Sequence, residues 1–280
     1  MRSKNISPRP ASTELAIIGA GPAGALLALS AAQTGFKVTL IDARQTEAAG
    51  VDGRNYAIVR GSWRLLESLG ITKKLTSGLT PLNGLEASER VSYGLSAPFA
   101  LFQTEDLPTS EAGLPLGYMI EAKALQAALD EALAESPALD WRRATRLEHL
   151  EVGPAGVTLT LDTGELLEAA LVAGCDGVNS GVRKFADIAV QTHAYKTSVL
   201  AANVTLERPH AGIARQIFTS EGPFATLPLA GDRANLAWYL PSSAAQTLAR
   251  LPKEDIEAEL NSRFESFAGH MQIDSPVYTY

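Results

Sequence analysis

The chain has 280 residues, of which 46% are hydrophobic and 20% are charged, and its formal net charge is −7. This length supports one large or two modest globular domains with a buried core, and the acidic balance argues against a nucleic-acid partner, which would favour a basic stripe. The only cysteine, Cys175, excludes an internal disulfide and fits a reducing compartment, where a lone cysteine in an apolar run is usually a small buried hydrophobe.

The N-terminal part of the chain predicts a disordered arm followed by a β-α-β unit. Residues 1–12 combine basic residues and prolines and are expected to form the arm. Residues 15–18 are an apolar run typical of a buried strand, 22–34 carry small and apolar residues at helical spacing, and 37–41 form a second β-rich run. Glycines and a proline interrupt the apolar segment 14–44, which argues against a membrane span or an export signal.

The rest of the chain alternates between helical and β patterns. Amphipathic or apolar runs predict helices at 62–69, 121–135, 242–250 and 253–267. Apolar and β-branched runs predict strands at 145–152, 156–162 and 165–173, a hairpin turn at 162–164, and further strands across 198–239. Residues 75–118 are expected to form irregular strands. The basic pairs at 73–74 and 142–143 are interpreted as solvated faces.

This order of elements predicts an α/β fold with two domains. A Rossmann-like βαβ nucleotide-binding domain would be built from two discontinuous segments, 13–74 and 119–190. The second domain would be β-rich and would consist of 75–118 and 191–280.

The first turn of the β-α-β unit carries a GxGxxG motif, formed by Gly19, Gly21 and Gly24. In such a motif the first glycine permits the tight turn, the second lets the backbone approach a pyrophosphate, and the third lets the helix pack closely on the strand. The phosphates then lie against free N–H groups at the helix N-terminus. Asp42 follows the second strand and is placed to bind a pair of ribose hydroxyls. The segment therefore predicts a dinucleotide site.

Two further features favour FAD over NAD. Asp42 is followed by Arg44, and a second arginine, Arg54, stands in a glycine-containing loop. The segment 171–184, "LVAGCDGVNSGVRK", is an apolar strand that ends in Asp176-Gly177 and continues into small polar residues. This is another place for a ribose or a pyrophosphate, and a simple NAD dehydrogenase has no need of it.

These motifs resemble those of the flavin monooxygenases of the para-hydroxybenzoate hydroxylase type. Within that family the chain is most similar to the ubiquinone-biosynthesis hydroxylases, on the segments 53–71, 118–129 and 200–229. The resemblance implies FAD in the first domain and substrate in the second. It also implies these cofactor-binding residues: Gly19, Ala20, Gly21, Pro22, Ala23, Gly24, Asp42, Ala43, Arg44, Arg54, Gln126, Asp176 and Gly177.

The chain departs from the family pattern at several positions. Ala122 stands where the family commonly has Asn or Arg near the flavin, so Lys123 or Gln126 is expected to substitute. The family's later Gly-Asp motif and loop, which hold the flavin ring, are not found after residue 239, and Gly231-Asp232 is interpreted as a hairpin turn. The resemblance therefore implies a C-terminally truncated member in which the ring is poorly held.

The activity that the resemblance implies is an FAD-dependent monooxygenase reaction. Electrons would come from NAD(P)H, and O₂ would supply the oxygen that hydroxylates the aromatic ring of a polyprenylated phenol in ubiquinone biosynthesis. Two alternatives stay open. One is a non-catalytic FAD-binding fragment or regulatory flavoprotein; the other is an NAD(P)-dependent dehydrogenase, in which the segment 171–184 would have no role.

The sequence indicates neither a catalytic residue nor a metal site. The histidines are scattered and are interpreted as surface or structural residues: His149, His193, His210 and His270. The resemblance implies a small lipophilic phenol as substrate, no nucleic acid, and a cytoplasmic location. Contact with the inner face of the membrane and with a ubiquinone-biosynthesis protein assembly are left open.

Overall fold

The structure is a computed structural model that describes residues 11–45, 54–75, 77–91, 94–95 and 99–280. The described residues divide into two compact units. The first contains 11–45, 65–75 and 122–192, and the second contains those within 54–64, 76–121 and 193–280. Most of the expected N-terminal arm lies outside the described residues. Its last two residues, Ala11 and Ser12, are not an arm but the start of a strand that pairs with Leu167 and Glu168.

The helices and strands are as follows. The helices are α1 (Pro22–Gln33), α2 (Arg60–Ser68), α3 (Ala122–Ala134), α4 (Gly181–Phe185), α5 (Ser242–Leu248) and α6 (Lys253–Ala268), with short 3₁₀ turns at Ile71–Lys74, Thr104–Asp106 and Thr109–Glu111. The strands are β1 (Ala11–Ile18), β2 (Val38–Ile41), β3 (Asn55–Val59), β4 (Leu79–Leu82), β5 (Gly84–Val91), β6 (Gly94–Leu95), β7 (Ala100–Gln103), β8 (Gly117–Glu121), β9 (Leu139–Arg142), β10 (Leu147–Gly153), β11 (Gly156–Leu161), β12 (Leu166–Gly174), β13 (Thr197–Leu206), β14 (Ile213–Thr219), β15 (Gly222–Pro228), β16 (Arg233–Pro241), β17 (Met271–Ile273) and β18 (Tyr278–Thr279).

The first unit is built on a sheet whose order, among the described strands, is β10-β11-β12-β1-β2-β9. β1 pairs in parallel with β2 and β12, and β2 pairs in parallel with β9, whereas β10, β11 and β12 are antiparallel. All four residues of β2 are buried, as is the end of β1, which is typical of parallel strands covered on both faces. The α/β class and the β-α-β unit predicted from the sequence are confirmed.

Small residues let α1 lie close to this sheet. Its buried residues are Gly24, Ala25, Ala28, Leu29 and Ala32. Helix α1 also contacts α3, which buries an apolar face that includes Leu125 and Leu129. Lys74 binds Glu131 of α3 and Glu135, the residue after it, through its Nζ at 2.7 and 2.6 Å. Both carboxylates are more than half exposed, so this is an ion pair at the surface.

The second unit is β-rich in the ranges that the structure describes. Its large sheet has the order β17-β13-β16-β15-β14-β5-β6, with β18 against β13 and β7 against β5; a smaller sheet has the order β3-β8-β4. Helices α5 and α6 cover the large sheet, and Phe264 of α6 stacks on Phe224 of β15 with ring centroids 3.7 Å apart. Residues 231–232 lie in the β15–β16 hairpin, as predicted, and Gly231 has a φ of +70°.

The division into units differs from the expected domain boundaries in four places, two of which are small, since residues 75 and 191–192 belong to the first unit and not to the second. Residues 54–64 and 119–121 belong to the second unit, because the strand at 55–59 pairs with β8 of that unit. Residues 65–75, which follow 54–64, belong to the first unit, so the pairing of β3 with β8 is what places 54–64 in the second unit, whereas 119–121 complete β8 itself. Within the described ranges, no helix combines the length and the apolar character needed to cross a membrane.

Candidate dinucleotide site

The turn between β1 and α1 is shaped by three glycines with different surroundings. Gly19 has a φ of +99°, and a Cβ built there would lie 2.5 Å from the Cys175 carbonyl oxygen. A Cβ at Gly24 would lie 1.9 Å from the Gly19 carbonyl oxygen. Larger residues are therefore excluded at both positions by the protein itself. A Cβ at Gly21 would meet no described atom within 4 Å, so this glycine borders open space that a ligand can approach closely.

The open space belongs to a pocket of about 460 Å³ in the first unit, where β1, β2 and β12 end. Open α/β sheets bind ligands outside the carboxyl ends of their strands. Several predicted cofactor-binding residues line this pocket: Gly19, Ala20, Gly21, Asp42, Ala43, Asp176 and Gly177. Other predicted residues of the first unit are not among its lining residues: Pro22, Ala23, Gly24, Arg44 and Gln126.

The N-terminus of α1 fits an anion. Gly21 is the N-cap residue, and no side chain caps the helix. The first backbone hydrogen bond of the helix runs from the N–H of Ala25 to the Gly21 carbonyl, at 2.9 Å. Pro22 has no N–H, so Ala23 and Gly24 carry N–H groups without a partner within the helix. These groups and the helix dipole together favour a phosphate. The space at Gly21 and the uncapped helix therefore fit the pyrophosphate of a dinucleotide.

Asp42 lies at the end of β2 and is 5% exposed. Its N–H donates to the Arg142 carbonyl at 2.9 Å, and its carbonyl accepts from the N–H of Thr145 at 3.0 Å. Its carboxylate accepts the N–H of Arg44 at 3.2 Å and the Nε of Arg44 at 2.7 Å. The carboxylate is thus fixed at the rim of the pocket, and its remaining lone pairs can accept ribose hydroxyls.

Arg44 and Gln126 turn toward the back of the glycine turn. Arg44 Nη2 and Gln126 Nε2 both donate to the Ala20 carbonyl, at 2.8 and 3.0 Å. Both also donate to Oδ1 of Asp130, at 3.4 and 2.7 Å. Burial by itself would lower the pKa of Arg44, because it disfavours the charged form. The hydrogen bonds and negative charges of Asp42 and Asp130 outweigh this effect, so the pKa of Arg44 lies above its ordinary value. A direct contact of either side chain with a cofactor stays a prediction.

Asp176 caps helix α4 from within the pocket wall. Its Oδ2 accepts the N–H groups of Gly181 and Val182 at 2.6 and 3.1 Å, and its Oδ1 accepts the Ser180 hydroxyl. The acid that the sequence placed beside a ribose therefore has a structural task in the protein. Burial raises the pKa of the neighbouring Cys175 thiol, and the charge of Asp176 adds to this effect. A thiol held in its neutral form is a weak nucleophile.

The sequence missed one wall of the pocket. Residues 145–147, Thr-Arg-Leu, line it beside Asp42 because β9 pairs in parallel with β2 and delivers the following residues to the same edge. β9 is only four residues long and includes two charged residues, so its pattern gave no strand signal. Arg142 of the same strand binds Asp140 and Glu165 at 2.9 Å in each case. Its interpretation as part of a solvated face is therefore wrong.

The other candidates lie outside this pocket's lining. Arg54 directly precedes β3 in the second unit, and its role stays a prediction. None of the four histidines, all within the described range 99–280, lines the pocket. The Nδ1 of His210 accepts the N–H of Gly212 at 2.9 Å, so its Nε2 carries the proton and donates to the carbonyls of Leu229 and Gly231. This histidine is structural.

Comparison with known proteins extends along most of the chain. The model of the family described as "FAD binding domain" matches residues 12–278. The ubiquinone hydroxylase UbiL of Rhodospirillum rubrum is 34% identical over 270 residues, covering 95% of this chain and 61% of UbiL. The 3-demethoxyubiquinol 3-hydroxylase of Escherichia coli is 34% identical over 265 residues, covering 92% of this chain and 65% of the relative. The chain therefore spans less than two thirds of each of these relatives.

Two solved structures share the fold. PqsL of Pseudomonas aeruginosa, in complex with 2-aminobenzoylacetate, superposes with a TM-score of 0.75 at 19% identity, over 94% of this chain and 73% of PqsL. The p-nitrophenol 4-monooxygenase PnpA of Pseudomonas putida gives 0.73 at 16% identity, over 96% of this chain and 68% of PnpA. The resemblance stated from the sequence motifs is confirmed by these matches together.

Proposed function

The chain belongs to the FAD binding domain family, and on that premise we propose that it carries the cofactor site of an NAD(P)H-dependent monooxygenase. The proposed reaction hydroxylates the aromatic ring of a polyprenylated phenol in ubiquinone biosynthesis. The proposal that the chain binds FAD rests on the open space at Gly21, which lies beside the uncapped N-terminus of α1. The reaction is supported by the two relatives that are named as a ubiquinone hydroxylase and a 3-demethoxyubiquinol 3-hydroxylase.

Residues of the first unit are assigned as follows. The N–H groups of Gly21, Ala23 and Gly24 would hold the pyrophosphate. Asp42 would accept the ribose hydroxyls, and residues 145–147 would form the wall beside it. When bound, FAD supplies the electron transfer from NAD(P)H and the activation of O₂, whereas the protein supplies binding and orientation.

The second unit offers a place for an apolar substrate. A groove of about 270 Å³ lies over β5, β14 and β15 and includes Leu85, Ala87, Phe102 and Leu227 among its lining residues. The small side chains of Ala87, Ala214 and Ala225 leave room for a ring or an isoprenoid segment, and the apolar part of the lining favours such a group. The rest of the lining is polar: Glu86, Arg215, Gln216 and Thr226. This groove supports a lipophilic phenol as substrate.

A polyprenylated substrate resides in lipid, so the proposal includes peripheral contact with the inner face of the membrane. It also includes assembly with other proteins of ubiquinone biosynthesis. Membership of an FAD family favours the monooxygenase over the NAD(P)-dependent dehydrogenase. The non-catalytic FAD-binding protein is the alternative that the experiments below separate from it.

The cofactor assignment is tested with Asp42→Asn, and Asp140→Asn is the matched control. Both variants remove one carboxylate, from the residue after β2 and from the neighbouring parallel strand β9, but Asp140 does not line the pocket. Hydrogen bonds to a charged acceptor contribute about 1.5–3 kcal/mol, so Asp42→Asn should weaken FAD binding by about tenfold or more. Flavin fluorescence titration measures this effect, and thermal unfolding without ligand reports the cost to the fold. Equal FAD affinity in both variants would contradict the assignment.

The reaction is tested with the purified chain, FAD, NADPH, O₂ and a prenylated phenol. This chain spans less than two thirds of its named relatives, so the same assay is also run on a version extended to their full length. Little hydroxylated product is expected from this chain alone, and the extended version should give a product one oxygen atom heavier, formed in step with NADPH oxidation. FAD binding by the extended version without any hydroxylated product would favour the non-catalytic alternative. Failure to bind FAD at all would overturn the proposal as a whole.

A further inference from the structure

A buried carboxylate lies behind the glycine turn and is not part of the pocket wall. Asp130 is on α3, four residues after Gln126, and is 2% exposed. Carboxylates are rarely buried to this degree unless they are paired. Its Oδ1 accepts Gln126 Nε2 at 2.7 Å and Arg44 Nη2 at 3.4 Å. Asp130 is therefore the common acceptor for two donors that come from different parts of the chain.

The same two donors hold the carbonyl of Ala20. Arg44 Nη2 lies 2.8 Å from that oxygen, and Gln126 Nε2 lies 3.0 Å from it. Both amide hydrogens of Gln126 are thus used, one by Ala20 and one by Asp130. The Ala20 carbonyl, which belongs to the second residue of the GxGxxG turn, is fixed from behind by side chains whose own orientation depends on Asp130.

Because the peptide unit is planar, fixing the Ala20 carbonyl also fixes the direction of the Gly21 N–H. In a planar trans peptide the carbonyl and the following N–H point in opposite directions. The Ala20 carbonyl faces Arg44 and Gln126, so the N–H of Gly21 faces the other side, where Gly21 lines the pocket. If the carbonyl were free to rotate, the N–H would no longer be aimed at the position of a phosphate.

We infer that Asp130 is a positioning residue for the dinucleotide: it holds Gln126 and Arg44 on the Ala20 carbonyl and thereby keeps the Gly21 N–H directed at the pyrophosphate. This inference rests on the proposed FAD site. It gives Arg44 and Gln126 a role behind the turn, and it assigns a role to a residue that the sequence motif does not contain. An asparagine at position 130 would keep one oxygen as an acceptor, but it would remove the charge that attracts Arg44 and weaken both hydrogen bonds, because a neutral acceptor binds donors less strongly than a carboxylate.

The test compares Asp130→Asn with Glu131→Gln, the adjacent carboxylate of α3, which is exposed and paired with Lys74. The probe is ADP, because it contains the pyrophosphate and lacks the flavin. Asp130→Asn should weaken ADP binding by about tenfold, which corresponds to about 1.4 kcal/mol, and Glu131→Gln should leave it unchanged. Calorimetric titration gives both constants, and thermal unfolding without ligand shows whether the fold is retained.

A spectroscopic readout separates positioning from general stability. In protein labelled with ¹⁵N-glycine, ADP should shift the Gly21 amide resonance strongly in the wild-type chain and in Glu131→Gln, and by less than half as much in Asp130→Asn. If Asp130→Asn does not unfold cooperatively, Asp130→Glu replaces it, since it keeps the charge but displaces it by one methylene. Equal ADP affinity and an equal Gly21 shift in the Asp130 variant would overturn the inference. A wild-type chain that binds neither ADP nor FAD would instead overturn the proposed function.

Discussion

Alanine at Gly24 and alanine at Gly21 are expected to have opposite effects, although the two positions are three residues apart. At Gly24 the new Cβ would lie 1.9 Å from the Gly19 carbonyl oxygen, whereas real Cβ contacts essentially never fall below 3.0 Å. The obstacle is backbone, so α1 and the end of β1 would have to separate. Overpacking of this kind typically costs about 1–3 kcal/mol, and the rigid obstacle places Gly24→Ala at the upper end. The higher helix propensity of alanine offsets about 1 kcal/mol of this cost.

The net loss for Gly24→Ala is therefore about 2 kcal/mol, which for a chain of this size corresponds to a fall in Tm of roughly 4–8 °C. At Gly21 the Cβ would meet no described protein atom, and the backbone angles, φ −64° and ψ 177°, suit alanine. Gly21→Ala should keep or slightly raise Tm, because alanine reduces the entropy of the unfolded chain. Its methyl group would nevertheless occupy the space that the pyrophosphate needs, and FAD affinity should fall by more than about tenfold.

The assay measures Tm by circular dichroism without ligand and the FAD dissociation constant by fluorescence for each variant. Gly61→Ala is the matched control, since it is a helical glycine with no described atom within 4 Å of the new Cβ. The reasoning is refuted if Gly24→Ala keeps the wild-type Tm, or if Gly21→Ala binds FAD as tightly as Gly61→Ala does.

Three further outcomes are expected. Phe264→Ala removes a buried ring that stacks on Phe224, so it should cost about 3–5 kcal/mol and lower the midpoint of thermal unfolding by roughly 10 °C; a loss of only one or two degrees would show that the site collapses without penalty. The hydrogen bond from Arg233 lowers the pKa of Asp274, so the pair stabilises the protein above the ordinary carboxyl pKa and the contribution is lost as pH falls through the lowered pKa. Asp274→Asn should therefore lower the free energy of unfolding at neutral pH by less than about 1 kcal/mol, since the pair is partly exposed. Urea titrations at a series of pH values measure this difference from wild type, which should vanish in strong acid. Burial and the charge of Asp176 raise the pKa of Cys175, so alkylation by iodoacetamide should be slower than that of a free thiol at neutral pH and should accelerate only in alkali; rapid neutral alkylation would contradict this environment.

The amino-acid sequence by itself determined the local parts of the site. Residues 15–18 and 37–41 are apolar or β-rich runs typical of buried parallel strands, and the three glycines between them have the spacing of a dinucleotide-binding turn when a strand precedes them and a helix follows. The position of Asp42 follows directly, because it is the first residue after the second strand. The hairpin turns at 162–164 and 231–232 were also predictable, since a glycine close to an aspartate between two β-rich runs is a turn signal, and Gly164 and Gly231 do have positive φ.

Only the tertiary structure decided which distant residues meet the turn. β9 has no strand pattern of its own; pairing with β2 makes it a strand and brings residues 145–147 to the pocket. The contact of Arg44 and Gln126 with a cofactor stays a prediction, whereas their contact with the Ala20 carbonyl depends on the packing of α3 against α1, which places Asp130 within hydrogen-bond distance of both side chains. A sequence motif identifies residues that are close together in the chain. The partner of a buried charge depends instead on which elements pack together, because a charge removed from water must be paired wherever the fold places it.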